Sequence, residues 1–237
     1  MRVAELWRYP VKSLQGERLA GAEAGPEGLT GDRQWALFDV GTGLGLTARR
    51  VPDLLFLSGR LRADGHVEVV LPDGTVTSDD AALSEWLGRP VALRAAADAP
   101  DERRYESPHE VGEAGEYDWD VFSGARGAFH DSSRTRVSLV STGTLGTWDR
   151  RRFRANVVLE GAGEDALVGR RVQLGGAELD VVKHVDRCVM VTRPQPGGIG
   201  RDNGVLTTIH RERDGCLAVG ALVARAGTVA VGDELTA

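Results

Sequence analysis

Apolar positions along this chain recur mostly at every second residue over short stretches, which is the period of half-buried strands rather than of helices. The stretch "HVEVVLPDGTVTS" (66–78) alternates valines with polar residues, then offers Pro72, Asp73 and Gly74, the chemistry of a tight turn between two strands. "VQLGGAELDVV" (172–182) repeats the device around Gly175 and Gly176. A helical period shows in "SDDAALSEWLG" (78–88), where Leu83, Trp86 and Leu87 share a face. There Ser78 is the expected cap, Asp79 and Asp80 suit the positive end, and Gly88 is the stop. Further helices are predicted in "GTLGTWDRR" (143–151) and "GVLTTIHRER" (204–213). The pattern predicts a mainly β protein with barrel-like sheets and a few short helices.

Residues 98–120, "DAPDERRYESPHEVGEAGEYDWD", are acidic and poor in aliphatics, and read as a long loop or linker. The chain is therefore divided there, into 1–97 and 98–237. With 31 glycines in 237 residues, usage is close to twice the roughly 7% average, which favours many tight turns and short strands. The net charge of −6 argues against nucleic acid and anionic membrane as partners, so any basic cluster is a local device. No apolar run reaches the ~18 residues of a membrane span. The start, "MRVAELWRYPVKS", lacks an apolar signal core, and two cysteines make no disulfide framework. A reducing, cytoplasmic setting is expected.

Two segments carry candidate chemistry. In "VVKHVDRCVMVT" (181–192), read as one extended strand, Val182, His184, Asp186, Cys188, Met190 and Thr192 face one side, and a valine-rich set with Lys183 and Arg187 faces the other. Cys188 then lies on the more polar face, beside basic residues that favour a thiolate. A buried cysteine acting only as a small hydrophobe is the competing reading. In "DRRRFRANVVLEG" (149–161), again read as a strand, Arg150, Arg152, Arg154 and Asn156 share a face suited to an anion; the alternative is a solvated strand end. "GTGLGL" (41–46) and "GGIGRDNG" (197–204) lack the full phosphate-loop spacing and read as turns. The five histidines are scattered without zinc-ligand spacing, and His66 and His109 read as surface residues.

Taken in order, "LWRYPVKSLQGERL", "GLTGDRQWALFD", "RRFRANVVLEG", "EDALVG", "DRCVMVT", "LTTIHRER" and "GTVAVGDEL" resemble proteins with a MOSC domain, in particular the amidoxime-reducing type, over nearly the whole chain. The resemblance implies a MOSC β-barrel domain (98–237) packed on a smaller β-rich N-terminal domain (1–97), with molybdenum cofactor in a cleft between them. It implies Cys188 as the molybdenum ligand and catalytic thiolate. Lys12 and Ser13 of "PVKS", Arg33 of "GDR", and Arg154 and Asn156 of "FRAN" are implied to hold the pterin or its phosphate. Ser133 of "HDSSR" joins them, as do Arg152 and Arg49 from their proximity to these motifs. Asp186 is grouped with the cofactor residues and would add negative charge beside the thiolate. Ala155 stands where the family usually has proline, and Arg193 where it tends to have an acidic residue. The implied activity is two-electron oxygen removal from N-hydroxylated small molecules, with electrons from a separate redox protein. The alternatives are a sulfur carrier using a Cys188 persulfide and a non-catalytic cofactor carrier.

Overall fold

The computed structural model describes residues 1–99, 103–110 and 117–237. By contact, the chain forms two compact units interleaved in sequence: residues 1–9, 16–32 and 134–237 make the first, residues 10–15 and 33–133 the second. These units follow contact, whereas the division into 1–97 and 98–237 follows sequence.

The first unit is built on an eight-stranded sheet. Its order is Leu235–Thr236, Arg171–Leu174, Ala177–Asp186, Cys216–Arg225, Val137–Ser141, Val157–Leu159, Val3–Arg8 and Glu17–Leu19. Every pairing is antiparallel except that of Val137–Ser141 with Val157–Leu159. The alternation in the sequence explains the core: Val3, Leu6, Val137, Leu139, Val157, Leu159, Leu179, Val181, Val219 and Ala221 are all almost fully buried in one cluster. A second cluster around Phe153, Val158, Ile209 and Leu217 holds the helix Asn203–Arg213. The Gly175–Gly176 turn forms as expected, joining Arg171–Leu174 to Ala177–Asp186.

The second unit consists of small sheets: Trp35–Asp39 with Val91–Ala95, Ser58–Leu61 with Val67–Val70 and Val76–Thr77, and Arg104–Glu110 with Tyr117–Ser123. The Pro72–Gly74 turn joins Val67–Val70 to Val76–Thr77 as its chemistry predicts. The helix Asp80–Leu87 also forms, but its cap is Asp79 and not Ser78: the Asp79 carboxylate accepts the Ala82 N–H at 2.8 Å, and Gly88 ends the helix at φ 64°.

Three local expectations change, besides the helix expected over 143–151, which is only the short turn Thr142–Leu145, ended at Gly146. Much of the 98–120 stretch is no loop, because Arg104–Glu110 and Tyr117–Ser123 pair in an unbroken antiparallel register; residues 100–102 and 111–116 lie outside the described residues. Its rings supply what its aliphatics lack, since Tyr105 stands opposite Phe122 and their centroids lie 5.7 Å apart. The run at 150–156 is no strand either. Arg150–Arg152 is a turn of 3-10 helix capped by the Asp149 side chain, Arg154 takes φ 51°, and the strand begins only at Val157. In the third segment, the strand stops at Asp186 opposite Cys216, and Val189–Thr192 forms a 3-10 turn. The alternating faces proposed for 181–192 therefore do not extend to Cys188.

Candidate functional site

In the first unit Cys188 follows the end of the Ala177–Asp186 strand and is partly exposed. The backbone is fixed there by two hydrogen bonds: the Arg187 N–H donates to the Gly215 carbonyl at 2.9 Å and the Val191 N–H to that of Cys188 at 3.2 Å. The Arg187 side chain runs inward. Its Nε donates to the Leu217 carbonyl at 2.7 Å, its Nη1 to the Phe153 carbonyl at 2.9 Å, and the guanidinium lies 5.5 Å from the Phe153 ring centroid. Nη2 is buried and has no hydrogen-bond partner among the described residues. Burial pulls the Arg187 guanidinium down to about 10, opposed by the neighbouring Cys188, Asp186 and Cys216. Arg187 thus lies within electrostatic reach of both thiols.

The arginines of 150–154 do not share a face; they disperse. Arg150 stacks on the Trp7 ring, 3.4 Å from its centroid, and pairs with Glu5 at 2.5 Å. Arg152 donates to three carbonyls, those of Val191 (3.0 Å), Arg193 (3.3 Å) and Gly200 (2.8 Å), and so clamps the loop after Cys188. Arg154 is 8% exposed and sits 4.8 Å from the Tyr9 ring centroid, at positive φ. Asn156 is buried within the sheet: its Oδ1 accepts from the N–H and hydroxyl of Ser138, each at 3.1 Å, and its Nδ2 donates to the Trp7 carbonyl at 3.2 Å. Asp186 points to solvent. Its side chain is 81% exposed and pairs with Lys183 at 2.8 Å, a bond that holds the carboxyl below the usual range against a smaller desolvation penalty.

In the second unit Lys12, Arg33 and Arg49 gather around Asp131. Lys12 is only 5% exposed; its ammonium pairs with Asp131, donates to the Phe129 carbonyl at 3.2 Å and lies 4.8 Å from the Tyr105 ring centroid. Burial pushes the Lys12 amine down, Asp131 opposes that, and Arg33 and Arg49 add to the depression. The Asp131 side chain reaches solvent, but the protein crowded around it still works against its charge, and Lys12, Arg33 and Arg49 prevail and hold its carboxyl far below the usual carboxylate range. Arg49 donates from Nη1 to the Ser107 hydroxyl at 3.0 Å and faces the Phe122 ring at 5.8 Å. Ser13 is buried with its hydroxyl accepting the Ala48 N–H at 3.1 Å, which ties down the segment that carries Arg49. The Arg33 carbonyl accepts the Phe129 N–H at 2.7 Å. Ser133 is exposed, two residues beyond Asp131.

Lys12, Arg33 and Arg49 are therefore brought together, and Cys188 is joined through Arg187 to the segment bearing Arg154. Among the described residues, five non-glycine positions take positive φ, and Ser13, Arg33 and Arg154 are three of them; strained backbone of this kind concentrates at functional sites. Sequence reading missed Asp131, Tyr105, Thr47 and the inward course of Arg187. Arg187, next to Cys188, and Asp131, inside the "HDSSR" motif quoted for Ser133, had a sequence signal.

In each unit taken by itself, buried polar atoms are left that an anionic group could satisfy. Buried polar atoms without a partner among the described residues include Arg49 Nε, Thr47 Oγ1 and Tyr105 Oη in the second unit, and Arg187 Nη2 in the first. Among the described residues no group of three or more His, Cys, Asp and Glu side chains could hold a metal ion; the first unit offers the partly exposed Cys188 sulfur as a single soft ligand.

A family model for the MOSC N-terminal beta barrel domain matches residues 1–94, and one for the MOSC domain matches residues 121–236. Of the solved structures, YuaD from Bacillus subtilis is 12% identical with a TM-score of 0.43, covering 99% of this chain and 93% of its own. YiiM from Geobacillus stearothermophilus is 14% identical with a TM-score of 0.35, covering 57% and 72%. A comparison with curated proteins finds no match. With the mainly β architecture described above, the two matches, in this order along the chain, show that it belongs to the MOSC-domain family.

Proposed function

We propose that this protein is a molybdenum cofactor-dependent oxidoreductase that removes oxygen from N-hydroxylated small molecules in a two-electron reduction. The observation that carries the reading is the setting of Cys188: a partly exposed thiol at a strand end, beside a buried guanidinium with one unpartnered nitrogen. MOSC domains are associated with molybdenum cofactor binding in general, which supports the choice of cofactor. When bound, that group supplies the two-electron acceptance of an oxygen atom.

The protein's own part is to hold and orient. Cys188 offers a soft thiolate, and Arg187 anchors the backbone next to it through the Leu217 and Phe153 carbonyls. Lys12, Arg33 and Arg49 offer positive charge to the anionic tail of a pterin. With only two cysteines in the chain, an iron-sulfur cluster has too few ligands, so the electrons are assigned to a separate protein.

Metal and pterin analysis of the purified chain is the direct test, paired with reduction of an N-hydroxylated substrate using a chemical electron donor. Replacing Cys188 with Ser should abolish activity with an unchanged melting temperature, because an oxygen replaces a soft sulfur at almost constant volume. Cys216→Ser should keep activity. Full activity in Cys188→Ser would overturn the assignment, and cyanide-labile sulfur without molybdenum would favour persulfide transfer instead.

A further inference from the structure

We propose that Asp131 is a built-in placeholder in an oxyanion site of the second unit: its carboxylate sits on the Lys12 ammonium where a phosphate group of a ligand binds, and it swings aside when that group arrives. This rests on the reading of the Lys12, Arg33 and Arg49 cluster as the anion-binding part of the cofactor site.

The two ends of the ion pair differ in kind. Lys12 is fixed: 5% exposed, bonded to the Phe129 carbonyl at 3.2 Å and seated against the Tyr105 ring. The Asp131 side chain is 68% exposed, so water can take over its hydration as soon as it leaves. Lys12 cannot follow it, and a buried ammonium left alone between Arg33 and Arg49 is unfavourable; another anion must replace the carboxylate. Asp131 also fills the cluster incompletely. Arg49 Nε and Tyr105 Oη, on two residues that interact with Lys12 or Asp131, remain buried without partners among the described residues. A phosphate monoester brings three terminal oxygens to a site where a carboxylate brings two, and it carries more charge, so it answers donors that Asp131 leaves unmet. The exchange is therefore between a weak tethered anion and a stronger free one.

The competition is measurable with inorganic phosphate. The full chain, produced in a host that makes no molybdenum cofactor, is titrated with phosphate at low ionic strength by calorimetry. If the carboxylate is seated roughly nine-tenths of the time, Asp131→Asn should bind phosphate roughly tenfold tighter than wild type. Asp131→Glu, which restores a charge, should return toward the wild-type affinity. Because Asp131→Asn leaves the buried Lys12 ammonium without its counter-anion, it should melt below the wild type in phosphate-free buffer and recover as phosphate is added, while Asp131→Glu should stay near the wild type. Equal or weaker binding by Asp131→Asn would overturn the proposal, since the carboxylate would then be a supporting partner of Lys12. Absence of phosphate binding in every form would overturn it together with the anion-site reading. Molybdenum and pterin content in a cofactor-making host is scored separately: tighter phosphate binding by Asp131→Asn with no pterin in the wild type would leave the placeholder standing and remove the oxidoreductase reading.

Discussion

Tyr105 shows how single residues shape the second unit. Its ring is 1% exposed and wedged between two glycines: a Cβ on Gly45 would lie 2.3 Å from Cε1, and one on Gly124 would lie 2.3 Å from Cε2. Neither contact can be relieved by a flexible side chain, because the ring itself is packed against Ala36 and Phe129. Gly45→Ala is therefore expected to cost about 1–3 kcal/mol, read as a lowered denaturant midpoint at unchanged slope. It should also weaken phosphate binding, since the Lys12 ammonium rests on the same ring. At this scale Cys188 stands out in the sequence by residue type and neighbours, whereas Lys12 and Arg33 are picked out only by the resemblance of their motifs and Arg49 only by its proximity to them. Tyr105 does not stand out, and Asp131 stands only as a neighbour of Ser133 in "HDSSR", because the significance of both comes from Lys12, more than ninety positions away in the chain, and no spacing rule connects them.

Among the elements, hairpins were legible and irregular turns were not. Alternating valines around Pro72–Gly74 and Gly175–Gly176 specify their own pairing. The arginine run was misread as a strand because alternation in a charged run carries no information about burial; Asp149 capping Arg151 instead tightens it into a 3-10 turn. That turn has a task. Arg152 reaches from it to the carbonyls of Val191, Arg193 and Gly200, so its guanidinium holds the loop after Cys188. Arg152→Ala should raise amide hydrogen exchange across residues 189–201 while the Cys216–Arg225 strand keeps its protection. Uniformly faster exchange in both segments would show that the clamp supports the whole unit.

For the molecule as a whole, acid stability depends on carboxylates that are charged in the folded state. Glu164 is fully buried, with Oε1 accepting the Ser141 N–H at 3.1 Å. Desolvation opposes its charge, but hydrogen bonds from Ser141 and Thr144 prevail and hold the carboxyl below its ordinary value. A folded-state value below the unfolded one means that the unfolded chain takes up a proton first as the pH falls. The stabilisation is thus fully present above the unfolded range near ~4.3 and fades as the pH drops through the lower folded value. Glu164→Gln should be less stable than wild type by about 1–3 kcal/mol at pH 7, with the gap narrowing below pH ~4 in denaturant titrations. A gap that widens in acid would contradict the sign.

The interleaving of the two units also has a consequence in polymer terms. Residues 33–133 leave the first unit after Asp32 and rejoin it at Arg134, and residues 10–15 do the same between Tyr9 and Gly16. When the second unit melts while the first stays folded, its chain becomes a tethered ring rather than a free tail. Both ends of each ring stay anchored, so melting releases less entropy than it would for a fragment cut at residue 97. A chain cleaved once between 33 and 133 should therefore lose stability in the second unit far more than in the first, although the cut removes no contact from either.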